Sequence, residues 1–413
     1  MYAAYQGVRY VAPMILTPFL AHVLGRDQFA ELVILNSCVW ASTVFMEFGF
    51  YLYGISKTAA AIDQRELCTT VTAITASKVA LIPVAMSVYA GLAAWGGLLF
   101  RHPGIVAIGA FSAIGYGGSF AWYFQGRQRA GTAVTTEATP QIIYYAAVLS
   151  LVRKPEDLWL VALCQTIPPL VSVVIGARLV ILDRLLSRPD LATVKCVMVE
   201  ALPYFVERLC FTLYTAITPT MVAALSVPAE ASYYSIGDRI GTFLGTIPSP
   251  LFQAAIPLVS RKQRTGRGEW RLPLALVAGV TAVVGVVAAL TFVACDPVIS
   301  RFFSKDFRPA IPVAHLFCIS SAISVLGMSL ANFVIIPKNT ARIMIRSSTT
   351  ALAAGVAVQF IAIPRFGALG AVAARCTSEC AVAIILGSFV ARLFMSERRT
   401  SVRTAAVPVA VDL

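Results

Sequence analysis

Apolar residues in this chain do not alternate or recur at helical intervals against a polar face; they run on, interrupted by short charged clusters. A stretch of about 20 mostly apolar residues is long enough to cross a bilayer as a helix, and hydrocarbon offers no partner for an unpaired backbone group, so such stretches read as helices rather than open strands. A window of about 19 residues places twelve of them, at 7–24, 30–53, 72–99, 104–125, 132–152, 158–182, 199–224, 232–258, 272–298, 309–337, 341–363 and 368–394. The longest connectors fall at 54–71, 183–198 and 259–271, so no soluble domain of ordinary size fits between the spans. The expected fold class is an all-α integral membrane protein of about 12 transmembrane helices. The first apolar stretch runs into Leu24-Gly25-Arg26-Asp27 with no small-residue cleavage site, and reads as a span rather than a signal peptide.

Composition strengthens this pattern: 58% of the 413 residues are hydrophobic and 13% charged. The net charge of +13 acquires meaning from its distribution. With the N-terminus inside, 21 Lys and Arg fall on the cytoplasmic side and 8 on the other, leaving four inside spans. Both termini are therefore expected in the cytoplasm, and the excess basic charge reads as topology and attraction to anionic headgroups, not as a nucleic-acid surface. No phosphate-cradling G-x-x-x-x-G-K-[ST] loop is present, which excludes an ATP-driven pump. The nine cysteines sit mostly in spans with no C-x-x-C spacing, so neither disulfides, a metal site nor a cofactor is expected.

Two segments 201 positions apart are alike: Thr17-Pro18 followed by Ala21, Leu24 and Ala30, and Thr218-Pro219 followed by Val222, Leu225 and Ala231. Six spans separate them, so the copies share an orientation, as in parallel transporter repeats. The expectation is two six-helix bundles, 1–195 and 196–413, around a central cavity.

Ala21-His22-Val23-Leu24-Gly25-Arg26-Asp27-Gln28-Phe29 after a Pro-containing helix, Glu47-Phe48-Gly49-Phe50, and Lys78 in the third span resemble a known family. So do Tyr234-Ser235-Ile236-Gly237-Asp238-Arg239, Pro257-Leu258-Val259-Ser260-Arg261 and Phe366-Gly367-Ala368-Leu369-Gly370-Ala371. The family is the polysaccharide transporter, or O-antigen flippase, branch of the multidrug/oligosaccharidyl-lipid/polysaccharide exporter superfamily. The resemblance implies a protein without covalent chemistry that moves a lipid-linked oligosaccharide of the undecaprenyl diphosphate type from the cytoplasmic to the periplasmic leaflet by alternating access. It also implies the bacterial inner membrane, with a polysaccharide polymerase and chain-length machinery as partners beside the membrane lipids. The related lipid II flippases commonly have about fourteen spans, for which this chain has no room, and the family's longer N-terminal lead is missing. Two rival readings are a cation-coupled multidrug or metabolite exporter of the same superfamily and a membrane-embedded polysaccharide polymerase or ligase; the short outward loops weigh against the latter.

An ionisable group at membrane depth costs about 2.5–3.5 kcal/mol on insertion scales and so marks function. At about 1.5 Å per residue, Arg208 lies roughly 15 Å from the cytoplasmic end of its span, Arg239 and Arg375 roughly 12 Å below the outer ends of theirs, and Lys78 about 10 Å in. Guanidinium groups grip a diphosphate with two parallel hydrogen bonds, so Arg208, Arg239, Lys78 and Arg375 are the candidate substrate-binding residues. Glu207, Asp238, Glu47 and Glu379 are candidate coupling carboxylates that bind and release a proton or sodium ion. Each arginine also has an acid nearby, Glu207, Asp238 and Glu379 respectively, so structural ion pairs are the competing explanation. Tyr144, Tyr145, Tyr233, Tyr234 and Trp122 could stack on sugars or belong to interfacial belts.

Overall fold

Every apolar run in the described residues becomes helix, because a helix satisfies its backbone within itself. The computed structural model describes residues 2–249, 251–252, 259, 270–338 and 342–405. The helices are α1 (Tyr2–Glu47), α2 (Phe50–Ala60), α3 (Gln64–Trp95), α4 (Leu98–Arg101), α5 (Pro103–Gly118), α6 (Ala121–Gly126) and α7 (Ala130–Leu151). They continue as α8 (Leu158–Leu182), α9 (Leu191–Thr215), α10 (Thr218–Leu225), α11 (Pro228–Thr246), α12 (Arg271–Phe302), α13 (Ala310–Leu330) and α14 (Arg342–Ala405). Short turns at Pro155–Asp157 and Lys305–Phe307 and a π-helical turn at Ala331–Ile335 lie between them among the described residues. Within the described residues the expected spans fall on helices, the end of the eighth at 253–258 lying outside them, and the protein is a multi-pass membrane protein.

Helix ends follow local chemistry. Asp63 starts α3 by accepting the Glu66 backbone N–H at 2.7 Å, while the Glu66 carboxylate returns to the Ile62 N–H at 3.2 Å. Asp190 does the same for α9, accepting from Ala192 and Thr193. Two spans are joined within α1 and two within α14, each pair by one glycine turn. Gly25 has φ 71° and Gly367 φ 53°, a region closed to most side chains. At Gly367 a Cβ would also lie 2.7 Å from a Glu230 carboxylate oxygen.

The polar ends of helices extend past what hydropathy registers, so the connector expected at 54–71 is mostly helix, α2 running to Ala60 and α3 starting at Gln64. Conversely, several expected spans are interrupted, among them the third, where α3 ends at Trp95 and Gly97 with φ 73° precedes α4. The second breaks at Phe48 and Gly49, which have φ 45° and 74°. The fourth breaks at Ser119, between α5 and α6. The seventh breaks before Pro219, which has no N–H to continue the ladder.

Contacts divide the chain into two compact units. The first holds Met1–Ile236 with the short pieces Val298–Ala310 and Ile363–Ala368. One of its cores packs Phe50, Val71, Ile74, Trp122, Tyr123 and Phe124 with Val197 and Ala201 of α9. The second holds Gly237–Pro297, Ile311–Ala362 and Leu369–Leu413. Its core joins Val277, Val280 and Val284 of α12 to Val325 of α13, Phe333 of the π-helical turn and Leu386 and Val390 of α14. Leu290 and Val293 of α12 remain 66% and 75% exposed, the condition of a helix whose outer face meets lipid.

Candidate functional site

The candidate residues divide between the two units. In the first, Lys78 of α3 is 5% exposed and its Nζ donates to the Ser119 carbonyl oxygen at 2.8 Å. Ser119 follows the last residue of α5, where carbonyls lack intrahelical donors and the helix dipole is negative; the ammonium satisfies both. Glu47, half-buried at the end of α1, is the acid whose charge reaches Lys78. Arg208 of α9 is exposed. The side chain of Glu207 lies outside the described residues.

In the second unit, Arg375 of α14 donates from Nη1 to Asp238 Oδ1 of α11 at 2.9 Å. The side chains are 17% and 38% exposed. The guanidinium also lies 5.2 Å from the Phe317 ring centroid, over a face whose quadrupole attracts cations. Phe317 in turn lies against α11 where Gly237 and Gly241 leave room: a Cβ at either would be 2.5 or 2.7 Å from the ring. Glu379, one turn along α14, is half-buried. Arg239, next to Asp238, is exposed on another face of α11. The structure therefore joins Asp238 to Arg375, a pairing between helices that neighbouring positions in the chain do not suggest.

Two further clusters lie outside the candidate set, although the sequence offers Glu200 of the second among its in-span acids for coupling. Glu31, with its side chain 8% exposed, lies 3.2 Å from Arg101 and 3.0 Å from His102. Its signal was an acid just inside the second span, facing a connector that carries two basic residues. The second cluster centres on Glu200 of α9, which binds Lys57 at 2.8 Å and accepts from the Tyr53 hydroxyl at 3.0 Å, joining α9 to α2. Glu200 holds the Lys57 ammonium above its usual range. Of the proposed sugar-stacking aromatics, Trp122, Tyr144, Tyr233 and Tyr234 are buried at 1–7% exposure and offer no free ring face here. Among the described residues no group of three or more His, Cys, Asp or Glu is placed to hold a metal ion.

The break in the seventh span is pinned by the second. The Ser37 hydroxyl donates to the freed Ala216 carbonyl, and Thr220 Oγ1 donates to Ser37 Oγ at 2.8 Å. Thr212 O accepts from both Ala216 and Ile217 N–H, at 2.9 and 3.3 Å. A discontinuous helix at membrane depth, with its backbone groups resatisfied by a neighbour, is a feature of transporter binding regions.

Comparison with known proteins gives the family and the fold. The model of the family described as polysaccharide biosynthesis protein matches residues 1–263. A protein of Escherichia coli (strain K12) named as a candidate O-antigen transporter is 20% identical over 261 residues, 62% of this chain and 63% of that protein's length. A protein of the same name from Shigella dysenteriae is 20% identical over 393 residues, 92% of this chain and 96% of the other. Among solved structures, the lipid II flippase MurJ in an inward closed conformation aligns over 94% of this chain and 87% of its own, with a TM-score of 0.68 at 11% identity. At that identity the likeness is one of fold. These relatives are named as transporters and a flippase, not as enzymes.

Proposed function

We propose, from the premise that this chain belongs to the polysaccharide biosynthesis protein family, that it is a flippase. It moves a lipid-diphosphate-linked oligosaccharide, a polysaccharide repeat unit, from the cytoplasmic to the periplasmic leaflet of the bacterial inner membrane by alternating access. The observation that carries the cationic part of this reading is the exposure of Arg208 and Arg239 at positions inside spans. A guanidinium facing lipid costs about 2.5–3.5 kcal/mol at membrane depth. Facing a water-filled passage it costs little and can hold a diphosphate with its planar fork. Lys78 and Arg375, engaged with Ser119 and Asp238, would serve the substrate only by exchanging those partners during the cycle.

The repeat-related halves 1–195 and 196–413 are the moving parts in this proposal, with both termini cytoplasmic. Glu379, Asp238, Glu47 and Glu207 are the carboxylates available to bind a proton or sodium ion and reset the cycle. A polysaccharide polymerase and chain-length machinery would receive the product.

The deciding experiment measures membrane abundance together with leaflet-specific accumulation of lipid-linked glycan in a strain deprived of its own flippase. Arg208→Ala and Arg239→Ala should each remove a charge-assisted contact worth about 1.5–3 kcal/mol, cutting export roughly tenfold or more at normal abundance. Lysine at either position should restore part of it. Normal export in both alanine variants would remove the cationic passage and favour a cation-coupled exporter. Export that survives collapse of the proton and sodium gradients would remove the coupling carboxylates from the mechanism.

A further inference from the structure

The second span, in the later part of α1, is enclosed on almost every side and opens at one place. From Phe29 to Val44 every residue is buried except Asn36, which is half-buried, and Trp40, which is 46% exposed. Positions four apart lie one above the other on the same face of a helix. This face is unlike one that meets lipid: the outer side of α12 shows Leu290 and Val293, whereas this one shows an amide and an indole. Nor does Trp40 sit where an aromatic belt would, at headgroup level. It is ten residues into its span, about 15 Å from the outer end.

Two other helices of the first unit complete the opening. Tyr116 of α5 stacks on Trp40, with 4.7 Å between ring centroids and 30° between planes, and covers one face of the indole. Gln165 of α8 donates from Nε2 to Asn36 Oδ1. The buried Ser112 and Thr166 hydroxyls, 2.8 Å apart, hold α5 to α8 one turn before Tyr116 and one residue after Gln165. The amide pair leaves a donor and an acceptor unused: among the described residues Asn36 Nδ2 meets no protein acceptor, and Gln165 Oε1 is buried without a donor. An unused donor beside an unused acceptor is the complement of a hydroxyl, which donates and accepts at once. The indole one turn away offers its electron-rich face to the C–H groups of a sugar ring. A lipid tail matches the ring and not the amides; a pyranose matches both.

We propose that Asn36, Gln165, Trp40 and Tyr116 form a saccharide subsite that receives a sugar of the substrate, leaving its diphosphate to Arg208 and Arg239. The source of the sugar rests on the flippase reading. The aromatic pair lies outside the five aromatics that the sequence offers for stacking, of which Trp122, Tyr144, Tyr233 and Tyr234 are buried. Trp40 differs from these because α1 exposes it one turn from an amide whose partner comes from α8.

The test uses the full-length protein in lipid nanodiscs, with the fluorescence of Trp40 taken as the difference between wild type and Trp40→Phe. Acrylamide in the water should quench this signal, and phospholipids brominated on their acyl chains should not. Quenching by the brominated chains overturns the subsite, because Trp40 then faces lipid. Two probes follow: lipid-linked glycan extracted from the cells that make it, and undecaprenyl diphosphate without sugar. The glycan should change the Trp40 signal, and undecaprenyl diphosphate should leave it unchanged. Native mass spectrometry, which counts only folded complexes, should show Asn36→Leu and Trp40→Leu each weakening glycan binding roughly tenfold, with undecaprenyl diphosphate bound as by wild type. Trp40 is exposed, so its leucine variant carries the test even if Asn36→Leu does not fold. Glycan bound with wild-type affinity by Trp40→Leu overturns the subsite and leaves the flippase reading standing. Failure of the wild-type protein to bind either probe overturns both.

Discussion

Lys78 and Arg375 are both cations held inside the membrane portion, and the two units accommodate them differently. Lys78 is fully enclosed and rests on one neutral acceptor, the Ser119 carbonyl at the open end of α5. Arg375 retains some exposure and meets a full negative charge on Asp238, with the Phe317 ring against its flank. An ammonium is a compact charge that a single carbonyl and a helix end can serve, whereas a guanidinium presents five donors and a plane. The lysine ties α3 to the break at Ser119 where α5 ends. The arginine ties α11 to α14 through a carboxylate. Removing the charge from each site therefore has different consequences.

The largest effect should come from Asp238→Ala, which leaves Arg375 partly buried without its carboxylate. We expect a loss of about 2–3 kcal/mol, less than the 3–5 of a fully enclosed pair because Asp238 keeps 38% of its side chain exposed. Thermal unfolding of the detergent-solubilised protein should show it, and adding Arg375→Leu should restore most of the loss. If the double variant is no more stable than Asp238→Ala alone, the pair is not what Asp238 contributes.

Next is Lys78→Met, which keeps the bulk and removes the charge. Leaving the Ser119 carbonyl without a donor costs about 1–3 kcal/mol, but no ammonium is then buried, so the net change should stay within about 1 kcal/mol. Lys78→Ala should be worse than Lys78→Met by a further ~1–2 kcal/mol for the cavity. A large loss in Lys78→Met would mean that the cation is stabilised by more than this one carbonyl.

Glu200→Gln supplies the exposed counterpart of both sites. Lys57 and Glu200 are 45% and 42% exposed, so the pair should contribute only about 0.2–1 kcal/mol. A shift as large as that of Asp238→Ala would make this contact between α2 and α9 a principal fastening.

The smallest effect concerns pH. Backbone and side-chain donors of Thr193, together with the Ala192 N–H, hold Asp190 below the usual carboxylate range. Its capping charge is therefore present above the ordinary aspartate value of about 3.9 and is lost as pH falls through the lower folded value. Hydrogen exchange at the first turn of α9 should accelerate only in that acid window, after correction for the intrinsic pH dependence of exchange.

Hydropathy alone placed the described spans on helices, since a long apolar segment in a bilayer has no alternative to closing its own hydrogen bonds. It also identified the four in-span cations, because charge at membrane depth is costly wherever the helices pack. Interruptions were less legible. Pro219 signals the break in the seventh span, but Pro18 in the matching dipeptide stays inside a continuous helix. The difference at the second site includes Ser37, which arrives from 179 residues away to take the freed Ala216 carbonyl. The pairing of Arg375 with Asp238 across 137 residues and the burial of Glu31 beside Arg101 and His102 depend on which helix faces meet. The sequence determined the helices and which of their charges require a partner, because those follow from transfer between water and hydrocarbon one residue at a time. Only the tertiary structure decided the partners, because a contact between helices depends on their register and rotation, which no local pattern in the chain encodes.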